Sequence, residues 1–84
     1  MKITNVDVKK VEKENSRLRG RANITVEDCL AIHNIRIIEG DSGLFIAMPS
    51  RKNDEGKFVD IVHPIDKETR KMFEEEIIAK YNEI

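Results

Sequence analysis

The sequence has no tryptophan, and its one cysteine, Cys29, has no second thiol with which to form an internal disulfide. That usage suits a reducing compartment, so the cytoplasm is the expected location. No apolar run approaches the ~18 residues needed to cross a bilayer, which leaves no membrane role to assign. Lys2 is followed by alternating polar residues instead of an apolar stretch, so no secretory signal is read. Prolines number two, and there is no Ser/Pro-rich linker, repeat or low-complexity segment to divide the chain. Residues 1–84 therefore read as a single domain. A chain of this size buries only roughly 60–65 % of its unfolded surface, so its core must be thin.

Net charge is also nearly absent, at −1, far from the basic balance of a domain pI above about 9 that marks many nucleic-acid binders. Its distribution is uneven. Residues 9–21 carry Lys9, Lys10, Lys13, Arg17, Arg19 and Arg21 against Glu12 and Glu14, a net of +4 that leaves −5 for the remainder. Such asymmetry allows a locally basic surface on a neutral protein, with a reach of about 8–10 Å in physiological salt.

What is present is period-two patterning. Val6 and Val8 are in phase within Ile3–Val11, and Leu18, Ala22, Ile24 and Val26 repeat the alternation, as half-buried strands require. The polar segment Lys13–Arg17 joins these two strands as a hairpin. A third strand, about Cys29 to Ile38, changes phase near His33 and Asn34, where a bulge is expected. Glu39–Gly43 and Asn53–Gly56 read as hairpin loops flanking the apolar runs Leu44–Met48 and Phe58–Val62. His63-Pro64 ends the last strand, and Asp66 offers a helix N-cap. Phe73, Ile77, Tyr81 and Ile84 then form one helical stripe, with Met72 and Ile78 beside it. The expected fold is α+β: an antiparallel sheet of about five strands over residues 2–62, with a C-terminal helix over about 66–82 packed on it. One helix covers one face, and an open sheet leaves two edges, so association into a homodimer is expected.

Catalytic and metal-binding options are weak. Cys29 and His33 lie about 13 Å apart on a straight strand, too far to act as nucleophile and base. They offer two metal ligands at most, with His63 needed from elsewhere. Gly40-Asp41-Ser42-Gly43 has the spacing of a backbone-clamping GxxG loop, but Glu39 and Asp41 would repel phosphate. Glu74, Glu75 and Glu76 solvate the helix, with Glu76 four residues before Lys80. No catalytic residue, metal or cofactor is therefore assigned, and the chain reads as a non-enzyme.

Three basic groups remain as candidate phosphate contacts. Arg17, Arg19 and Arg21 alternate, so a regular strand would project all three from one face at intervals of about 6.6 Å; an ordinary solvent face is the alternative. Ser50, Arg51 and Lys52 follow Pro49 in what reads as a loop. Lys67, Arg70 and Lys71 fall in the first turns of the helix, where the macrodipole slightly disfavours cations. Phe45, Phe58, Phe73 and Tyr81 are the only aromatic side chains, and most are expected in the core, which favours contact with nucleic-acid backbone over base stacking.

The strings "HNIRIIEGDSGLFIAMPSRK" at 33–52 and "GKFVDIVHPI" at 56–65 closely resemble the central block of the SpoVG family, and weaker similarity runs from "MKITNVDVKKV" through the helix. The resemblance implies a dimeric β-sheet protein with a C-terminal helix, associated with septation, cell division and sporulation control, whose members bind DNA or RNA as regulators. It also implies nucleic-acid contact by the Ser-Arg-Lys stretch and the early helix, here Arg51, Lys52, Lys67, Arg70 and Lys71; Arg17, Arg19 and Arg21 rest on the strand pattern alone. Two departures are visible: "VEKENSRLRGRA" differs from the family's more usual turn after the first strand, and the sequence stops at Ile84, where family members often carry an acidic tail. The alternative expectation is a protein-interaction module of the division apparatus that docks a partner on a sheet edge.

Overall fold

The computed structural model describes all residues from 1 to 84, and the period-two segments become strands: β1 (Ile3–Lys10), β2 (Leu18–Val26), β3 (Leu30–Gly40), β4 (Gly43–Ala47), β5 (Ser50–Lys52) and β6 (Phe58–Asp60), followed by α1 (Lys67–Glu83). Strands β1 to β4 form an antiparallel meander, and β5 and β6 pair only with each other. The fold is α+β, with six strands in two sheets where about five in one meander were expected. Pro49 explains the break. It has no N–H with which to extend the β4 ladder, so the chain leaves the sheet there. The β5–β6 hairpin is tied back at its root by the Ile61 N–H donating to the Pro49 carbonyl at 2.7 Å.

The phase change in β3 is a bulge. Ala22 pairs with Ile35 and Ile24 with Ile32, so His33 and Asn34 together oppose Asn23. Asn34 takes φ 64°, and its N–H donates to the Asn23 side-chain oxygen at 3.1 Å. The extra residue keeps Ile32 and Ile35 on the same face although they are three positions apart. That face, with Ala22, Ile24, Val26, Ile37, Ile46 and Met48, meets Phe73 and Ile77 of α1 in one buried cluster. Gly20 belongs to the same side, since a Cβ there would lie 3.0 Å from the Lys9 carbonyl oxygen and 3.6 Å from the Tyr81 ring. Its missing side chain lets the helix approach the sheet.

Three boundaries differ from expectation. Cys29 lies in the turn before β3 and is exposed. Ile84 falls outside the helical stripe: it is the C-cap, its N–H reaching the Tyr81 carbonyl, and its side chain is largely exposed. The apolar run Phe58–Val62 is strand only to Asp60 and finds no cover: Phe58 is 70 % exposed, Ile61 65 % and the following Ile65 92 %. At the helix start Asp66 caps as expected, with extended φ and ψ of −129° and 157°. No helix is long and apolar enough to cross a membrane.

Candidate nucleic-acid interface

The early helix brings its cations together. Lys67, Arg70 and Lys71 line one shallow depression with Glu74, as residues spaced three and four apart must on a helix. Their surroundings differ. Arg70 donates from Nη2 to the Ile46 carbonyl at 3.2 Å, while Glu74 accepts from the Ile46 N–H at 3.4 Å. These two side chains satisfy the outer edge of β4, so Arg70 holds the helix to the sheet as well as lending charge. Lys71 faces Glu75 at 3.9 Å, both well exposed, a pairing worth little in water. Lys67 has no carboxylate within salt-bridge distance. The expected Glu76–Lys80 pair does not form, and Lys80 reaches Glu83 instead, at 3.6 Å.

Asp66 sets where this cluster begins. Its carboxylate accepts from the Thr69 N–H at 2.9 Å and from the Thr69 hydroxyl. These two donors, the backbone N–H foremost, hold the Asp66 carboxyl below its ordinary pKa.

Arg51 and Lys52 are not in a loop. They lie on β5, opposite Val59 and Phe58, because Asn53 closes a tight turn: its side-chain oxygen accepts from the N–H groups of Glu55 and Lys57, and Gly56 takes φ 78°. Both side chains are exposed, and the Lys52 ammonium sits 5.7 Å from the centre of the Phe58 ring.

The three arginines of β2 do not form one row. A second irregularity, Leu18 opposite Ile38 and Gly20 opposite Ile37, leaves Arg19 as an extra residue and interrupts the alternation. Arg19 pairs with Glu39 at 3.5 Å and shares a depression with Tyr81 on the helix side. Arg17 precedes the strand and pairs with Asp41 at 3.3 Å. Arg21 alone faces away from the helix, and there it meets cations that sequence reasoning missed. Lys9 lies opposite it on β1 and Arg36 opposite it on β3. Only strand register shows this transverse row, since the three residues are 12 and 15 positions apart. Arg36 donates to the Ser50 hydroxyl at 3.2 Å. The expectation that most aromatic residues lie in the core also fails for two of the four: Phe58 is 70 % and Phe45 40 % exposed, while Phe73 is buried and Tyr81 partly so.

The SpoVG family model matches residues 1–83. The chain belongs to the SpoVG family. Curated SpoVG relatives, each named "Putative septation protein SpoVG", align along nearly the whole chain. That of Phytoplasma australiense is 52 % identical over all of this chain and 86 % of its own length. That of Caldicellulosiruptor bescii is 46 % identical over all of this chain and 94 % of its own. That of Acholeplasma laidlawii is 52 % identical over 99 % of this chain and 87 % of its own.

Proposed function

We propose that this SpoVG-family protein is a cytoplasmic, non-enzymatic regulator of septation and sporulation that acts as a homodimer by binding DNA or RNA. The observation that carries the reading is the cluster of Lys67, Arg70 and Lys71 on the first turns of α1, placed where the helix dipole disfavours cations and left largely without carboxylate partners. Arg51 and Lys52 on the projecting β5–β6 hairpin add a second set of exposed cations. Homodimerisation is supported by the exposed Val59, Val62 and Ile65 along and beyond β6, since exposed apolar side chains gathered in one segment favour association.

The test is a titration of labelled duplex DNA and single-stranded RNA with wild-type protein and a Lys67→Ala/Lys71→Ala variant, at low and physiological salt. Arg70 is left intact because it also bonds the Ile46 carbonyl. Salt-sensitive binding that weakens in a folded variant supports the reading; binding that is equal in both proteins removes the helix from it.

A second reading has one observation in its favour. The exposed apolar segment from Phe58 to Ile65 could dock a division-apparatus protein on a sheet edge. The Ile46 N–H and carbonyl on β4 are already held by Glu74 and Arg70, which favours the outer edge of β1 or the β5–β6 pair over β4 for this role. Binding insensitive to salt, with no nucleic-acid affinity, distinguishes it.

A further inference from the structure

The face of the four-stranded sheet turned away from α1 carries an arrangement that folding alone does not favour. Lys9, Arg21 and Arg36 stand side by side across β1, β2 and β3. Neighbouring strands are about 4.8 Å apart, so the backbones of these three basic residues span roughly 10 Å. Like charges directly opposite each other destabilise a sheet. No carboxylate comes within 4.0 Å of any of the three, whereas Arg17 and Arg19 are each paired with one. Arg36 is pinned by the Ser50 hydroxyl and the Met48 carbonyl, which aims it at the root of the β5–β6 hairpin. The side chains of Lys9 and Arg21 hold no hydrogen-bond partner.

The row lies in a trough. One depression of about 330 Å³ runs from Arg21, Asn34 and Arg36 to Phe58 and Ile61 on the hairpin side. A second, of about 600 Å³, runs from Arg21 and Asn34 to Lys9 and Lys80 and includes one acid, Asp7. They share Arg21 and Asn34, so they adjoin at those two residues, each within the range of small-ligand sites. At its hairpin end the Phe58 ring is 70 % exposed. An exposed ring beside a track of cations is the combination that binds unpaired nucleotides, because stacking needs a base face that a duplex hides.

We propose that this open sheet face is a groove for single-stranded nucleic acid, with Lys9, Arg21 and Arg36 holding phosphates and Phe58 stacking on a base. The inference rests on the nucleic-acid reading above and deepens it by naming the strand state and a surface separate from the helix cluster. Asn34, at the join of the two depressions, supplies a carboxamide donor and acceptor for a base edge.

The experiment uses full-length protein and short single-stranded RNA and DNA oligonucleotides with the matching duplex as probes. Phe58→Trp places the only tryptophan of the chain in the groove, and its indole emission is expected to be quenched by the single strands. Phe58→Ala is expected to weaken single-strand binding roughly 5- to 150-fold. Lys9→Ala/Arg21→Ala is expected to reduce the magnitude of the log–log salt slope by about 1.4, the value for two phosphate contacts on a single strand. Unchanged emission, or quenching by duplex alone, overturns the proposal. So does full affinity in both alanine variants; if Lys67→Ala/Lys71→Ala then abolishes binding, the regulator reading stands without this groove. Failure of the wild-type protein to bind any of the probes overturns both.

Discussion

Asp66 shows how a single side chain can set where the helical cation cluster begins. Its carboxylate closes the first turn of α1 through Thr69, and the same donors lower its pKa. A lowered folded-state pKa means that the stabilisation is present above the unfolded carboxylate range and is lost as pH falls through the folded value. Asp66→Asn keeps an acceptor that does not titrate. The variant is therefore expected to be less stable than wild type at neutral pH, with the difference in thermal midpoint shrinking in acid; a constant gap would show that the charge of Asp66 is immaterial. Arg21 presents the opposite case, a residue whose presence is expected to cost stability, since it stands opposite Lys9 and Arg36. Replacing it with threonine, a good strand former, is expected to raise stability by about 0.2–1 kcal/mol through relief of repulsion from Lys9 and Arg36. Denaturant unfolding with an unchanged m-value would check this, and a loss of stability would mean that the row is neutralised by contacts other than charge.

Among the elements, α1 and β4 depend on one another. Phe73 and Ile77 enter the sheet core while Arg70 and Glu74 occupy the Ile46 carbonyl and N–H, so the helix both covers the core and closes an edge that would otherwise pair with another chain. Ile77→Ala is expected to cost about 2–5 kcal/mol, as for other fully buried aliphatic truncations. Glu74→Ala is expected to cost much less overall but to lower hydrogen-exchange protection at the Ile46 amide specifically. Gly20→Val, which would place branched carbons against the Lys9 carbonyl and near Tyr81, is expected to cost about 1–3 kcal/mol by overpacking. The β5–β6 hairpin contributes nothing to the buried cluster. Its exposed cations and apolar side chains are thus free to serve binding.

For the whole molecule, the near-zero net charge conceals a separation of basic surfaces. The helix cluster lies on the first turns of α1, and the Lys9–Arg21–Arg36 row lies on the sheet face that α1 leaves open. Long-range attraction to a polyanion is weak at a net charge of −1, so the proposed binding would rest on local contacts and is expected to weaken with salt at a slope of about −0.9 per duplex phosphate or −0.7 per single-strand phosphate engaged. Slopes that give different numbers of phosphate contacts once divided by these two factors, measured at a fixed oligomeric mass, would separate the helix cluster from the groove. Equal contact numbers that vanish together in Lys67→Ala/Lys71→Ala would assign all binding to the helix.

Local rules were enough to read the α+β class, β1 and β2, the bulge at His33 and Asn34, the N-cap at Asp66 and the Phe73–Ile77 stripe, because alternation, helical periodicity and capping are properties of neighbouring residues. The clustering of Lys67, Arg70 and Lys71 was legible for the same reason, since three- and four-residue spacing on a helix is itself geometry. Tertiary structure decided the rest. Pro49 marked no visible sheet boundary until the ladder partner it could not extend was known, and the exposure of Phe58 followed from that break. The alternation of Arg17, Arg19 and Arg21 was real in the chain but was undone by a bulge and by the carboxylates of Glu39 and Asp41. Lys9, Arg21 and Arg36 are distant in sequence and adjacent in space, and strand register, which fixes what stands across each residue, is set by the packing of the whole sheet against its helix.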